Sequence, residues 1–419
     1  MPVNPGDTSW VTIATALVML MTPALGFFYG GLVRRKNIAY TIVQCFVIFA
    51  VVSLVWTFWG YSLAFSPSFH GYIGNLDKVL LNGVGVFAPS ASQFGGPGIT
   101  ELSYYAFQLM FAAITPALIV GAFSERIKFR SLLIFTVLWS TLVYSPVAHW
   151  VWNPSGWIKQ LGAIDFAGGT VVHITAGLSA LAAAIVVGPR LKREKIEGKP
   201  SNAPFVILGA ALLWFGWFGF NAGSALSASP IAVSAFVVTN LSAAAATVSW
   251  MIMDTIIKGK PTATGIAIGA VCGLVAITPA SGYVTPASAI IIGLAAGIIS
   301  NLVSTWRART RLDDTLDVFA CHGVSGIWGS IATGLFATIA VNPTDQGGKN
   351  GLFYGNPSQF LIQIEAVLVV AAFAFVVTFA LLKIINMFSK LRVTPEEEEQ
   401  GLDLSQCGEE AYSPSDTSS

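Results

Sequence analysis

The sequence predicts an all-α polytopic membrane protein. Of its 419 residues, 54% are hydrophobic and only 10% are charged, against roughly 25% charged residues in soluble domains. Mean hydropathy is +0.70, which a large soluble core does not explain. Apolar stretches of about 20 residues, the length a helix needs to cross a bilayer, recur from one end of the chain to the other. The net charge of +1 says nothing about partners, because the sign asymmetry lies between loops rather than in the total. No nucleic-acid partner is expected.

Eleven apolar runs bounded by charge, Pro or Gly follow in order. The first, near 8–33, comes after "MPVNPGDTSW". That opening lacks a basic region, so the run is read as a retained helix rather than a cleaved signal, with a leader ahead of Met1 left open. The run ends at Arg34, Arg35 and Lys36. The second, near 39–65, leads to a loop holding only Lys78. The third, near 101–124, meets Arg126, Lys128 and Arg130, and the fourth, near 130–152, meets Lys159. The fifth, near 167–188, runs into Arg190, Lys192, Arg193, Lys195 and Lys199. The sixth and seventh, near 204–224 and 231–257, end at Lys258 and Lys260. The eighth and ninth, near 263–279 and 285–306, end at Arg307, Arg309 and Arg311. The tenth, near 317–340, precedes Lys349, and the eleventh, near 359–389, ends among Lys383, Lys390 and Arg392. All but three of the 22 Lys and Arg residues therefore fall on one set of alternate loops. The positive-inside rule then puts the N-terminus outside and the C-terminus inside.

An odd count permits five helices followed by five more running in the opposite sense, an inverted repeat with one extra helix. The halves are expected at about 8–188 and 204–340, with the extra helix at about 359–389. Together they form a transmembrane domain over 1–392, and a cytoplasmic tail follows over 393–419. A local echo supports the repeat. His173 has Gly177 four residues on, and His322 has Gly326 four residues on. An Asp stands near the start of each helix, Asp165 and Asp317. Such repeats place their functional site at the midplane, where the halves meet.

Charging a side chain in hydrocarbon costs at least about 2.5 kcal/mol, so an ionisable residue at membrane depth is a functional candidate. Of the four histidines, two fall deep within spans, His173 and His322, each on a face of small residues that lets helices approach closely. Neutral imidazole offers one donor and one acceptor, and a facing pair would line a narrow path without fixed charge. A metal site is the weaker reading. There is no HExxH, the interior carboxylates apart from Glu365 sit near helix ends, and two histidines make an incomplete ligand set. No metal and no cofactor is expected. Cys45, Cys272, Cys321 and Cys407 show no CxxC spacing and are read as free thiols.

Aromatics gather in three further segments. Phe107 and Phe111 are four apart on one helix face. Trp217, Phe220 and Ser224 share a face in "LLWFGWFGFNAGSA", and Trp152 closes the fourth span at its outer end. Each alone reads as packing or as an interfacial anchor. Together they offer ring faces, worth roughly 0.5–2 kcal/mol to a cation, and a hydroxyl that accepts from a cation carrying N–H groups. No TVGYG-type filter or carboxylate ring is present, which argues against an ordinary metal-cation channel.

"DFAGGTVVHITAG", "LLWFGWFGFNAGS", "GLVAITPASGYV" and "DDTLDVFACHGVSGIWG" resemble the signature segments of the Amt/Mep/Rh ammonium transporter family, in particular its bacterial and archaeal Amt branch. The resemblance runs from "FFYGGLVRRKN" to "GLDLSQCGEEAY", nearly the whole chain. It implies eleven helices around a narrow pore, a homotrimer with one pore per subunit, and residence in the cell (plasma or inner) membrane. It also implies roles for matching residues. Phe111, Trp152 and Ser224 become an outer ammonium recruitment site supported by Trp217. Phe111 and Phe220 become a gate below it, Asp165 orders the site, and His173 and His322 become a twin-histidine pair lining the pore. Ammonium, with methylammonium as analogue, is the implied substrate. It would lose its proton near the gate and cross as ammonia, with or without a separately moved proton.

From Lys390 the composition changes to "KLRVTPEEEEQGLDLSQCGEEAYSPSDTSS". The four glutamates read as a solvated run and the last eight or so residues as disordered. "GLD" and "EEAY" resemble the family's ordered regulatory tail, which contacts the neighbouring subunit. The resemblance implies a PII-type signal protein (GlnK) docking at this face. A non-conducting ammonium sensor is the second expectation, set back because no fused signalling domain follows the tail. A membrane enzyme is a distant third, since the spans hold no nucleophile–base set.

Overall fold

The helices begin where short polar side chains can satisfy the free N–H groups of a first turn. Asn4, Thr100, Asn202, Ser229, Thr262, Thr285 and Asn356 each accept from such a group. In five of these a proline follows within the first two helical positions, where its missing N–H costs nothing. The computed structural model describes residues 3–87, 98–191, 193 and 200–412.

Among the described residues, nine helices are long and apolar enough to cross a membrane. In chain order, α1 is Pro5–Leu32, α2 is 38–65, α3 is Glu101–Phe123, α4 is 129–152 and α5 is Gly169–Val187. Then come α6 Ala203–Gly223, α7 Pro230–Lys258, the shorter α8 Ala263–Ile277, α9 Pro286–Ala308, α10 over 319–336 and α11 Pro357–Phe388. Every span expected from the sequence falls on a helical segment. The tenth is shorter than its apolar run because Asp317 is left-handed, with φ 56°, and Ala337 leaves the helix with ψ 142°. The apolar window of α3 is 89% buried and that of α11 33%. This sets α3 at the centre of the bundle and α11 on its rim.

Glycines Gly209, Gly216 and Gly219 on α6 let α1 pack directly on its backbone. Both α5 and α10 open with π-helical turns, Gly169–Ile174 and Phe319–Val324, a widening found frequently at functional sites.

The arginine-rich loops meet at one end of the molecule. Arg34 pairs with Glu125 at 2.8 Å, and Arg190 bridges Glu125 at 3.2 Å and Asp313 at 3.0 Å. Buried Arg126 donates to the carbonyls of Ala122, Ser124, Gly188 and Asp313 and to the Thr315 hydroxyl. Burial works to raise the Asp313 carboxyl, but hydrogen bonds from Arg190 and the charges of Arg126 and Arg190 hold it at about 2.

The tail closes over this end. Val393 N–H donates to Arg126 O, Leu402 N–H to Asn37 Oδ1, and Tyr40 N–H to Asp403 Oδ1. The glutamate run is not simply solvated. Glu397 completes a capping box with Thr394. Glu398 is buried, accepting from Arg392 Nη2 at 2.8 Å and from Leu191 N–H at 2.6 Å. A buried carboxylate needs such partners, and the docked tail supplies them. The last residues, 413–419, expected to be disordered, lie outside the described residues.

Candidate functional site

A column of rings descends the centre of the bundle. Trp152, the last residue of α4, meets Phe111 of α3 edge-on, with centroids 5.8 Å apart. Phe111 lies 4.3 Å from Phe220 of α6, so the two rings close on each other. Phe107 packs on Phe111 at 4.9 Å, one turn outward. Below, Trp217 and Phe220 lie 5.3 Å apart, and His173 stacks on both at 5.4 Å and 5.9 Å. His322 continues the column, with the two imidazole centroids 5.4 Å apart. Their Nδ1 atoms are separated by 3.3 Å. A narrow cavity passes beside this lower part, lined by His173, His322, Trp217 and Phe220 and by aliphatic side chains including Leu25, Ile114, Leu118 and Val172.

The loop before α5 builds the Trp152 end of the column. Trp152 Nε1–H donates to Asp165 O at 3.1 Å. The Asp165 carboxylate accepts from the N–H groups of Gly168, Gly169, Thr170 and Val171 at 2.8–3.2 Å. Its oxygens are spent on the first turn of α5, so the side chain orders the backbone rather than reaching into the column. Ser224, the C-cap of α6, is half-buried one turn beyond Phe220 and donates to Phe220 O at 2.8 Å. Its oxygen keeps acceptor capacity.

The two histidine helices touch backbone to backbone. A Cβ on Gly177 would lie 2.1 Å from Gly323 N, and one on Gly326 would lie 3.0 Å from His173 Cβ. That reciprocity gives the HxxxG echo its physical content. In a neutral pair one Nδ1 donates and the other accepts. The donor ring is then left with an accepting Nε2 and its partner with a donating one. Nε2 of His173 has no partner among the described residues, although the residue is 1% exposed. The pair can therefore offer hydrogen bonding to a small guest while holding no fixed charge.

The site residues expected from the sequence fall in or beside the ring column, with two adjustments. Asp317 is not the counterpart of Asp165, because it turns away to Arg307 Nε at 2.6 Å and Ser304 Oγ at 2.8 Å. The carboxylate that caps α10 is Asp314, which accepts from Phe319 N–H at 2.7 Å. It stands eight residues before His322, as Asp165 stands eight before His173. Burial depth also fails to distinguish the histidines, since His149 on α4 is fully buried. Both of its ring nitrogens have partners, Ala64 O at 2.8 Å and Ser68 Oγ at 2.7 Å, which marks it as a packing residue. Thr278 was missed from the sequence. It accepts from Trp217 Nε1–H at 2.9 Å and so fixes the ring against which His173 stacks. Among the described residues no three His, Cys, Asp or Glu side chains gather as metal ligands.

A family model described as Ammonium Transporter Family matches residues 9–412. An "Ammonium transporter" of Bacillus subtilis (strain 168) is 48% identical over 97% of this chain and 98% of its own length. "Ammonium transporter Amt1" of Archaeoglobus fulgidus is 46% identical over 98% of this chain and 100% of its own. Among solved structures, Saccharomyces cerevisiae Mep2 superposes with a TM-score of 0.91 at 37% identity, covering 100% of this chain and 94% of that one. A structure described as "Sensor Amt Protein" gives a TM-score of 0.86 at 32% identity, covering 96% and 98%.

Proposed function

The chain belongs to the ammonium transporter family, and on that premise we propose that it takes up ammonium at the aromatic end of the ring column and conducts it, as ammonia, past the histidine pair. The observation that carries this reading is the histidine contact itself. Two stacked imidazoles with Nδ1 atoms 3.3 Å apart lie in a cavity otherwise walled by hydrocarbon and ring faces. Hydrated cations lose their shell only against a compensating charge or a dense oxygen cage, and this cavity has neither. A neutral nitrogen base with N–H groups loses less, because it can exchange hydrogen bonds with the pair.

In this reading Trp152, Phe111 and Ser224 receive the cation, with ring faces and a hydroxyl oxygen. Trp217 supports them, and Asp165 holds the loop in register. Phe111 and Phe220 part to admit the substrate, and His173 and His322 line the crossing. Eleven crossings fit the alternation of basic loops, with the N-terminus outside, the C-terminus inside and the halves related as an inverted repeat. The reciprocal Gly177 and Gly326 contacts support the last point. A homotrimer in the plasma or inner membrane, and a PII-type protein such as GlnK at the arginine-rich face, extend the same family reading.

The reading is tested in proteoliposomes holding the purified protein, by ammonium-evoked current and methylammonium uptake side by side. A saturable signal is expected, with weaker apparent affinity in Trp152→Leu and altered selectivity in a His173→Ala, His322→Ala double variant. Unchanged rate and selectivity in the double variant would remove the histidines from the mechanism. Ammonium binding without current or uptake would favour a sensor, which the likeness to "Sensor Amt Protein" makes the second reading.

A further inference from the structure

Asp165 and Asp314 begin the same backbone device. Each stands eight residues before its histidine and accepts from the N–H five residues on, Thr170 at 2.8 Å and Phe319 at 2.7 Å. The third residue after each is left-handed, Gly168 at φ 111° and Asp317 at φ 56°. The carboxylates differ in what remains. Asp165 spends both oxygens on four amides. Asp314 is 0% exposed, and its Oδ1 has no partner among the described residues. A buried carboxylate oxygen without a donor is costly, so it calls for a proton or for a cation from outside the chain.

Its position gives that need a use. Leu118 of α3 lines the cavity with His322 and accepts at its carbonyl from the Tyr29 hydroxyl at 2.9 Å. One turn further along α3, the carbonyls of Gly121 and Ala122 accept from Leu316 N–H at 3.1 Å and Thr315 N–H at 3.4 Å. Four helical residues advance about 6 Å, so the segment carrying Asp314 is stitched one turn beyond the cavity, toward the arginine-rich end. Asp314 there lies within electrostatic reach of Tyr29 and Cys321.

We infer that the Asp314 carboxyl is an inner station for the substrate, where ammonia leaving the histidines is protonated and held as ammonium before release. The inference rests on the transport reading above. The carboxylic acid gives its proton to the nitrogen lone pair, leaving a carboxylate and an ammonium ion. The ammonium departs into water, and the carboxylate regains a proton from the same side. One ammonia and one inner proton become one ammonium, with nothing oxidised or reduced. Ammonia is the stronger base, so the transfer runs downhill. The groups facing Asp314 are the N–H groups of Val318 and Phe319, the Cys321 thiol, the Tyr29 hydroxyl from α1, the Asp317 carboxylate and Arg307 from α9. Burial first, then the Asp317 charge, push the Asp314 carboxyl up to about 6, with Arg307 and the two amides acting against them. The carboxyl therefore holds its proton to a higher pH than an ordinary carboxylate, and mostly so below about pH 6.

The test uses the intact protein in vesicles with the inner pH varied between about 5 and about 8. Asp314→Asn keeps an acceptor for Phe319 N–H and removes the acid. The parent should slow as the inner pH rises through its carboxyl titration. The Asn variant should lose that dependence and at least about tenfold in maximal rate, with outer half-saturation unchanged. A variant that keeps the parent's rate and inner-pH profile overturns the inference. If Asp314→Asn does not fold, Asp314→Glu must keep the profile with a shifted midpoint, and an unshifted midpoint counts against the station. Infrared difference spectra over the same pH range read the carboxyl without transport. A titrating carboxylic-acid band in the parent that Asp314→Asn lacks supports the station, and its absence from the parent overturns it. A parent that shows this band yet moves no ammonium would sink the transport reading instead.

Discussion

Gly177→Ala puts the histidine contact under direct strain. The added Cβ would sit 2.1 Å from Gly323 N and 2.2 Å from Gly323 Cα. Both are backbone atoms of the π-helical turn that carries His322, so no rotamer change relieves the clash. Reaching ordinary contact at 3.4 Å requires α5 and that turn to part by about 1.3 Å along this line, a small-to-large change costing about 1–3 kcal/mol in a packed core. Passed on to the imidazoles, the same opening would stretch their 3.3 Å Nδ1 separation to about 4.6 Å, beyond hydrogen bonding. A misplacement of about 1 Å at a reacting geometry costs up to about a hundredfold. Transport should therefore fall by about ten- to a hundredfold in a variant that still elutes as folded protein. Gly326→Ala provides the internal scale. Its Cβ would meet His173 Cβ at 3.0 Å and backbone atoms at 3.2 Å, needing an opening of about 0.4 Å, so its loss should be clearly the smaller. Methylammonium uptake in proteoliposomes matched for protein content measures both. The reasoning is refuted if folded Gly177→Ala transports like the parent, or if Gly326→Ala is the more damaging change.

Thr278→Val should destabilise by about 1–3 kcal/mol, because it leaves the buried Trp217 indole N–H without an acceptor. Trp217→Phe removes the donor instead and leaves Thr278 bonded to Leu274 O. Thermal unfolding in detergent should show Thr278→Val losing stability through the unpaired donor and Trp217→Phe through lost packing. A Thr278→Val midpoint equal to the parent's would refute the role given to this bond. Asp313 predicts an acid limit. Its folded value of about 2 lies below a carboxyl's ordinary 3.8, so its ionisation stabilises the fold by roughly 2 kcal/mol above about pH 4. That contribution is lost as pH falls from about 4 toward 2. Unfolding followed against pH should show this slope in the parent and its absence in Asp313→Asn; a variant retaining the slope would assign it elsewhere.

Much of the bundle was legible in the sequence because lipid imposes a simple rule. An apolar run long enough to cross must be helix, and the alternation of basic loops checks the count. The ring column was legible for a related reason. Phe107 and Phe111, and Trp217 and Phe220, sit on shared helix faces through spacing alone. What escaped was contact across long separations. Thr278 lies 61 residues from Trp217, and no periodicity links a lone threonine to an indole. His149 and His173 look alike in an apolar run, and only the partners of their nitrogens separate them. In "DDTLD" the spacing pairs Asp317, the carboxylate nearest the helix, with Asp165. A left-handed turn at Asp317 instead brings the earlier Asp314 back to the first N–H groups, and such a turn is hard to read at a residue other than glycine. Glu398 is a similar case, since a run of four glutamates does not announce which one will find Arg392.

Gly168 and Asp317 occupy equivalent left-handed positions, and the difference between them separates the two ends of the path. A Cβ at Gly168 would lie 2.7 Å from Val172 Cγ2 and 3.3 Å from Trp152 Cζ2. The aromatic end therefore uses the absence of a side chain to let the indole settle over the loop. A non-glycine residue at positive φ costs of order 1 kcal/mol, and Asp317 offsets it through Arg307 and Ser304. The Asp317 carboxylate also sets a negative charge beside Asp314, which favours a proton or a cation there, with Arg307 acting against it. One backbone device, used twice, thus leaves ring faces at one end and a partly unsatisfied carboxyl at the other. Nothing in the shared backbone distinguishes entry from exit. Under the proposed transport reading, the polarity of the path lies in these few side chains, and the histidine pair between them can serve traffic in either direction.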